Sequence, residues 1–264
     1  MSLSVIAAAA AAVVGGTGAF FSDTETSTGN TFTAGAIDLK VDSNQKYNGN
    51  VCGVDVNDVD QDQNNTEYVW LGSAAYPVQG TSCEGTWGQP NGKDIVGEKF
   101  FNFGDIKPGD NGSNSISLHV VNNDAYMCAT VSNLKNDDLG LTEPEQAVPA
   151  NDNTNGPNNG ELKQNMLVTI WKDVDGNNFQ DVGEQVLYGP GPAQEGTWAL
   201  YTPLTGSIPG STTAWLGVKW ELPFGTGNEV QTDSLQADIS FRVEQARNNP
   251  GFTCTPPQSA PIPS

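Results

Sequence analysis

The sequence predicts an all-β protein, a jelly-roll-like antiparallel β-sandwich with long polar loop insertions. Short segments alternate apolar and polar residues, which is the two-residue period of half-buried strands. The 30 glycines and 16 prolines indicate many turns. After the first residues, no segment sustains the 3.6-residue apolar period of a helix. Short strands separated by turns favour an antiparallel sandwich.

The alternating segments divide the chain into one predicted domain. They lie at residues 37–41, 116–120, 127–131, 166–170, 214–220 and 235–243. The first of these predicted strands ends near Asp42, where the chain turns polar and irregular. We therefore predict a single sandwich over residues 36–250, interrupted by a polar insertion at 43–99. A proline-rich tail at 251–264 carries no packing signal.

The chain begins with an unbroken apolar run, Leu3 to Val14, followed by small residues up to Ala19. The run is shorter than the roughly 20 apolar residues that a membrane-spanning helix needs. An apolar run that ends in small residues is typical of a secretory signal peptide and its cleavage site. We predict a signal peptide over residues 1–19, followed by an extended, polar N-terminal segment at residues 20–35.

Four cysteines, Cys52, Cys83, Cys128 and Cys254, form an even set in a chain that is predicted to be exported. Two disulfides are therefore expected, and three connectivities are possible. Pairing Cys52 with Cys83 would close a local loop, and pairing Cys128 with Cys254 would attach the tail to a central strand. We favour this scheme, although the sequence leaves the other two open.

The most specific motif is an acidic segment that begins at Asp173. Counted from there, oxygen ligands fall at positions 1, 3, 5, 7, 9 and 12, the spacing of an EF-hand calcium loop. The residues are Asp173, Asp175, Asn177, Phe179 (through its main-chain carbonyl), Asp181 and Glu184. Position 6 is Asn178 rather than glycine, and a strand precedes the loop. The sequence predicts a calcium site without a helix pair; a solvated Asx-rich turn is the alternative.

A second acidic run extends from Asp55 to Asp62. It lacks a glutamate at the offset that closes an EF-hand loop. We expect a charged loop there rather than a second calcium site.

The formal net charge of −20 limits the partners of this protein. Nucleic acid is excluded, because no basic surface is present to neutralise phosphates. An anionic membrane surface is excluded for the same reason. A surface of this charge attracts cations, and divalent ions would lower its self-repulsion.

The sequence offers little for catalysis. It contains one histidine, His119, which we expect as a solvated residue on the polar face of a strand. An HExxH zinc motif needs two histidines, and the nucleophile-elbow pattern GxSxG is missing. We predict that the protein is not an enzyme.

Two N-glycosylation sequons begin at Asn64 and Asn111. Both fall in predicted loops of an exported chain, where a modifying enzyme could reach them. Their use depends on the organism, which the sequence does not reveal.

A resemblance to a known family rests on the N-terminal residues. The sequence GTGAFFSD at 16–23, then Phe32, Gly35 and the strand Ile37–Val41, resembles the start of TasA/camelysin proteins. The resemblance is strong over residues 13–42. It returns at 103–133 and 214–249. The family contains secreted, fibre-forming subunits of bacterial biofilms and the bundling pilins of archaea.

This resemblance implies a jelly roll, signal cleavage between Ala19 and Phe20, and a structural role in the biofilm matrix. A mature N-terminus starting at Phe20 would donate a strand to a second copy of the chain, and head-to-tail repetition would build extracellular filaments or pili. Phe20, Phe21 and Phe32 are the expected assembly residues. After cleavage no membrane association is expected. The alternatives are a calcium-stabilised monomeric surface or adhesion domain and, less favoured, a camelysin-type secreted protease.

Overall fold

The computed structural model describes residues 37–62, 66–95, 97–147 and 150–254. The predicted signal peptide, the assembly residues Phe20, Phe21 and Phe32, and the sequon residue Asn64 lie outside these ranges. Nearly all of the predicted sandwich domain lies within them.

The described residues form two antiparallel sheets and three short helical turns. The strands are β1 (Asp38–Tyr47), β2 (Asn50–Val54), β3 (Tyr68–Leu71), β4 (Asn111–Val121), β5 (Ala125–Asp138), β6 (Leu167–Asp173), β7 (Val186–Pro192), β8 (Gly196–Tyr201), β9 (Thr212–Glu221) and β10 (Asp233–Gln245). The helical turns are α1 (Glu143–Gln146), α2 (Leu162–Asn165) and a 3-10 turn (Asn228–Val230). One sheet has the order β3-β2-β1-β4-β9-β6-β7, and the other has the order β10-β5-β8.

The main hydrophobic core lies between the two sheets. The large sheet contributes Ile116 and Leu118 from β4 and Leu216 from β9, and the small sheet contributes Met127 and Ala129 from β5. All five side chains are buried. Along β4 the apolar residues alternate with Ser115, Ser117 and His119, so one face of this strand meets the core. The predicted all-β sandwich is confirmed.

The first strand extends further than its sequence pattern predicts. β1 continues through Tyr47, and its polar residues Ser43 and Gln45 are buried on the core side. Ser43 Oγ donates to the carbonyl of Gly85 at 2.6 Å, and Gln45 Nε2 donates to the carbonyl of Phe100 at 2.9 Å. Buried polar side chains are tolerated when they are hydrogen-bonded in this way. Their presence interrupts the apolar period, which is why the alternation in the sequence ends at Asp42.

The segment expected as an insertion, residues 43–99, is therefore built into the large sheet. It supplies the second half of β1 together with β2 and β3. Further along, Trp87 and Lys93 form bridges with β1, and the side chain of Trp87 enters the main core.

Two disulfides join the pairs that the sequence analysis favoured, Cys52–Cys83 and Cys128–Cys254. The first lies in a second hydrophobic cluster around Tyr47 and Trp220. The second fastens the end of the described chain to β5.

None of the helices in the described ranges is long and apolar enough to cross a membrane.

Candidate metal site and the groove beside it

The predicted calcium loop connects β6 to β7 and lies on the polar face of the large sheet. Gly176 packs on the indole ring of Trp215, so closely that an added Cβ would lie 2.9 Å from it. Asn178 is buried and donates from Nδ2 to the carbonyl of Asn44 at 3.2 Å. Gly176 and Asn178 have φ angles of 72° and 63°. Asparagine adopts this left-handed conformation more readily than most residues, and Asn178 therefore replaces the glycine expected at position 6.

Three of the predicted ligands lie together. Asp173, Asp175 and Glu184 each place a carboxylate oxygen within 4.8 Å of the other two. Asp173, at the end of β6, is almost fully buried, whereas Asp175 is exposed and Glu184 is partly exposed. Oxygen-only ligands at this spacing suit a hard cation such as calcium.

Main-chain amides hold two of these carboxylates in place. Asp173 accepts from the N–H groups of Gly176 and Asn178, at 2.8 and 3.0 Å. Glu184 accepts from the N–H groups of Val174 and Asp181, at 2.6 and 2.9 Å. Glu184 therefore clamps the two ends of the loop in addition to supplying charge.

The other predicted ligands lie outside the group of three. The Asn177 side-chain amide donates to Asp175 at 3.0 Å and to Asp181 at 2.7 Å, and its carbonyl oxygen accepts from the Phe179 N–H at 2.7 Å. The ring of Phe179 is exposed and lies 4.2 Å from Lys46 Nζ. The structure thus unites Asp173 and its two partners, while the middle of the loop is occupied by internal hydrogen bonds.

The electrostatics of the loop favour a bound cation. Burial raises the pKa of Asp173, and the charges of Glu184 and Asp175 raise it further. The hydrogen bonds from the N–H groups of Asn178 and Gly176 lower it in part. Lys46 Nζ donates to the Asn177 carbonyl of the loop; burial lowers the pKa of Lys46, against the opposing effect of the Asp173 charge. The ionised carboxylates therefore repel one another, and a divalent ion would relieve this repulsion.

An open groove of about 500 Å³ separates this loop from the segment around Pro90. Its floor contains His119, whose Nε2 lies 2.6 Å from Asp42 Oδ2 and whose Nδ1 lies 2.9 Å from Thr213 Oγ1. His119 lies on the polar face of β4, as expected, but it is less exposed than expected, since only 20% of its side chain is accessible. The reason is its neighbours on β1 and β9, which sequence spacing does not reveal. Both ring nitrogens have protein partners, so neither is presented as a metal ligand.

The second acidic run also gathers carboxylates. Asp55, Asp60 and Glu67 place oxygens within 4.8 Å of one another, as do Asp58, Asp60 and Asp62. Asp55 is fully buried and accepts from the Val59 N–H through both oxygens. The sequence analysis missed Glu67, because it follows the acidic run and enters the group only when β3 pairs with β2.

The described sequon residue, Asn111, is exposed at the first position of β4 rather than in a loop. Its side-chain Nδ2 lies 3.4 Å from Asn48 Oδ1.

A family model described as camelysin metallo-endopeptidase matches residues 1–65. No curated protein matches the chain. The matched span contains β1, β2 and the whole of the second acidic run, but neither the 173–184 loop nor His119. The match confirms, at the level of the family, the resemblance to TasA/camelysin proteins, and it supports a secreted or cell-surface protein related to biofilms.

Proposed function

We propose that this protein is a structural subunit of an extracellular filament or pilus in a biofilm matrix. Each copy donates its N-terminal segment, Phe20 to Asn30, as a strand to the sandwich of the next copy. The observation that carries this proposal is the edge of the small sheet at β10. The proposal draws its family-level support from the camelysin match.

β10 is a long edge strand that leaves the core partly covered. It spans 13 residues, none of them buried. Within the described ranges it pairs only with β5. Its apolar residues Ile239, Phe241 and Val243 pack against the main core but stay partly exposed. A long edge strand of this kind is a template for pairing with another chain.

The hydrogen-bonding direction of β10 suits an added strand. The Ala246 N–H donates to the carbonyl of Asp124, whereas both main-chain groups of Ala125 bond to Ile208. Ala125 lies opposite Gln245 of β10, so these two residues exchange no main-chain hydrogen bonds with each other. Hydrogen-bonded and non-hydrogen-bonded pairs alternate along an antiparallel ladder. The N–H and C=O groups of Val243, and of Phe241 and Ile239 before it, therefore point away from β5.

The other sheet edges are less suitable acceptors. β7 contains Pro190 and Pro192, which have no N–H to donate. β3 has four residues, and its main chain already bonds to Thr81 and Cys83. β8 has six residues. β10 is the edge that matches the eleven residues from Phe20 to Asn30 in length.

The donated strand would be anchored by its aromatic residues. Phe20 and Phe21 are adjacent, so in an extended strand their side chains point to opposite faces. One of them can enter the partly covered core beside Phe241. Burying a phenylalanine fully contributes about 1.5–3 kcal/mol. Because donor and acceptor are different surfaces, the contact is heterologous, and repetition builds a filament when the rotation does not close.

Deleting Phe20 to Thr28 tests the mechanism. The deleted protein is expected to fold with both disulfides but to form no filaments by electron microscopy at a concentration at which the parent protein does. A peptide of that sequence is expected to bind it and to slow amide exchange at Ile239, Phe241 and Val243. Exchange along β8 serves as the internal control. Filaments from the deleted protein, or protection of β8 instead of β10, would reject donation to this edge.

We further propose that calcium binds the 173–184 loop through Asp173, Asp175 and Glu184 and stabilises the subunit. The support is the convergence of three carboxylates, one of them buried, with no arginine or lysine paired to them in the described chain. A monomeric, calcium-stabilised surface domain is the outcome expected if the parent protein binds calcium but does not polymerise.

The name of the matched family favours one alternative, a secreted metallo-endopeptidase. We propose no metallo-endopeptidase role, because Asp42 and Thr213 engage both nitrogens of the single histidine and leave neither to bind a metal. A protease assay with and without chelator tests this, with the His119→Ala variant as the comparison. Chelator-sensitive proteolysis that the variant loses would establish the enzyme and overturn the structural proposal.

A further inference from the structure

The connection between β2 and β3 brings three carboxylates together. Asp55, Asp60 and Glu67 each place one oxygen within 4.8 Å of the other two. Two oxygens bound to one calcium ion are at most about 5 Å apart, which is twice the calcium–oxygen distance of roughly 2.3–2.6 Å. The three carboxylates therefore fit around a single calcium ion.

Strand pairing places two of these residues opposite each other. The β2–β3 ladder runs to the pair Val54 and Tyr68, and beyond it the Asp55 N–H donates to the Glu67 carbonyl at 3.0 Å. Side chains directly opposite in an antiparallel pair lie close together, and like charges there are destabilising. Asp60 joins them from the loop, so the fold holds three negative charges at one point.

Asp55 is the member whose charge is hardest to accommodate, because its side chain is 0% exposed. Its two oxygens share one donor, the Val59 N–H, at 3.0 and 2.9 Å. Among the described residues no other hydrogen bond reaches this carboxylate. A buried charge is costly unless it is paired and hydrogen-bonded, and a single main-chain N–H meets only part of that requirement.

Glu67 contributes a second buried group that lacks a partner. Its Oε2 accepts from the Thr66 N–H at 3.2 Å, whereas its Oε1 is buried and has no hydrogen-bond partner among the described residues. Buried polar atoms in folded proteins nearly always have a partner. This oxygen therefore calls for one that the neighbouring side chains do not supply.

No basic side chain balances these charges. The chain contains no lysine, arginine or histidine from Tyr47 to Gly92. None of the three carboxylates is part of an ion pair among the described residues. Asp58 and Asp62 form a second group with Asp60 and add further negative charge. The arrangement thus selects a cation from solution.

We propose that Asp55, Asp60 and Glu67 bind calcium at a site separate from the 173–184 loop. Calcium takes six to eight oxygen ligands in a flexible geometry, so three carboxylates leave positions for water or main-chain carbonyls. Asp60 is exposed and gives the ion access from solvent, while Asp55 and Glu67 anchor it to the strand ends. The ion would fasten the loop to the ends of β2 and β3.

This site replaces the charged loop that the acidic run alone predicts. Glu67 lies one residue beyond the closing position of an EF-hand loop counted from Asp55. Strand pairing, rather than loop spacing, brings its carboxylate to the group.

Calcium titration in a background that lacks the 173–184 site tests the proposal. The full-length Asp175→Asn/Glu184→Gln protein is expected to bind one calcium ion per chain by isothermal titration calorimetry. Adding Asp60→Asn/Glu67→Gln is expected to abolish this binding. Both of these side chains reach the surface, so the substitutions leave the fully buried aspartate in place.

The matched control adds Glu84→Gln/Asp94→Asn to the same background. These two carboxylates are exposed and paired with Lys99 and Lys40, outside the group of three. The control removes the same charge from the protein and is expected to keep the bound calcium. Absence of calcium binding in the background protein, or equal binding after Asp60→Asn/Glu67→Gln, would overturn the proposal.

A second measurement leaves the group intact. In the Asp175→Asn/Glu184→Gln background, calcium is expected to slow amide exchange at Val59 and over residues 66–71, because the ion holds the loop against the strand ends. Exchange along β8 is the internal control. Exchange at Val59 and over 66–71 that calcium leaves unchanged would contradict a site at this position.

Discussion

Substitutions of the acidic side chains in the 173–184 loop should distinguish the stability that calcium binding contributes from the stability that packing of the loop contributes. A cation that binds the folded state alone stabilises it by about 2.7 kcal/mol at a hundredfold excess over its dissociation constant. For a domain of this size, each kcal/mol raises the melting temperature by roughly 2–4 °C. Calcium should therefore raise the melting temperature of the parent protein by about 5–10 °C relative to chelator.

Two variants of this loop are expected to behave differently. Asp175 is exposed and, among the described residues, accepts hydrogen bonds only from Asn177, so Asp175→Asn should reduce the calcium effect and leave the melting temperature in chelator almost unchanged. Glu184 also clamps the N–H groups of Val174 and Asp181. Glu184→Gln retains one acceptor oxygen, so it should reduce the calcium effect and also lower the melting temperature in chelator.

Differential scanning calorimetry in calcium and in chelator measures both effects. Asp105→Asn, which removes an exposed carboxylate paired with Lys107, is the matched control and should leave the calcium effect unchanged. Terbium emission sensitised by Trp215, the ring that Gly176 contacts, reports on the same loop independently. Equal melting temperatures of the parent protein with and without calcium would refute the reasoning for this site.

Three further predictions concern other parts of the chain. Intact-mass analysis of the secreted protein should give an N-terminus at Phe20; a mass that retains the apolar run would favour an anchored protein. Replacing Cys128 and Cys254 by serine should lower the free energy of unfolding by about 5 kcal/mol, because this disulfide closes a loop with a sequence separation of 126. Replacing Cys52 and Cys83, which are separated by 31, should lower it by about 3.7 kcal/mol. Urea unfolding of both variants measures the two losses, and equal losses would contradict this order. Gly217→Ala would place a methyl group against the buried ring of Trp171 and should cost about 1–3 kcal/mol; Gly104→Ala, with open space around it, is the control, and equal stability of the two variants would show that the ring can move aside.

The alternation of apolar and polar residues along the sequence determined much of this fold. The segments around Ile116, Leu216 and Phe241 all form strands where the two-residue period predicts them, because each strand presents one face to the core. The spacing of Asp173, Asp175 and Glu184 likewise identified a carboxylate group that the structure brings together. Local pattern was sufficient in both cases, since the residues involved are close in sequence or belong to one strand.

Only the tertiary structure decided the rest. The second half of β1 is polar in sequence, yet Ser43 and Gln45 are buried because loop carbonyls distant in sequence accept their hydrogen bonds. His119 is less exposed than its sequence position predicts, because Asp42 and Thr213 on neighbouring strands contact both of its ring nitrogens. Asp138 of β5 and Asp233 of β10 lie opposite each other in the small sheet although they are 95 residues apart, and no local spacing links them. Strand pairing brings them together, because antiparallel register places residues opposite each other whatever their distance along the chain.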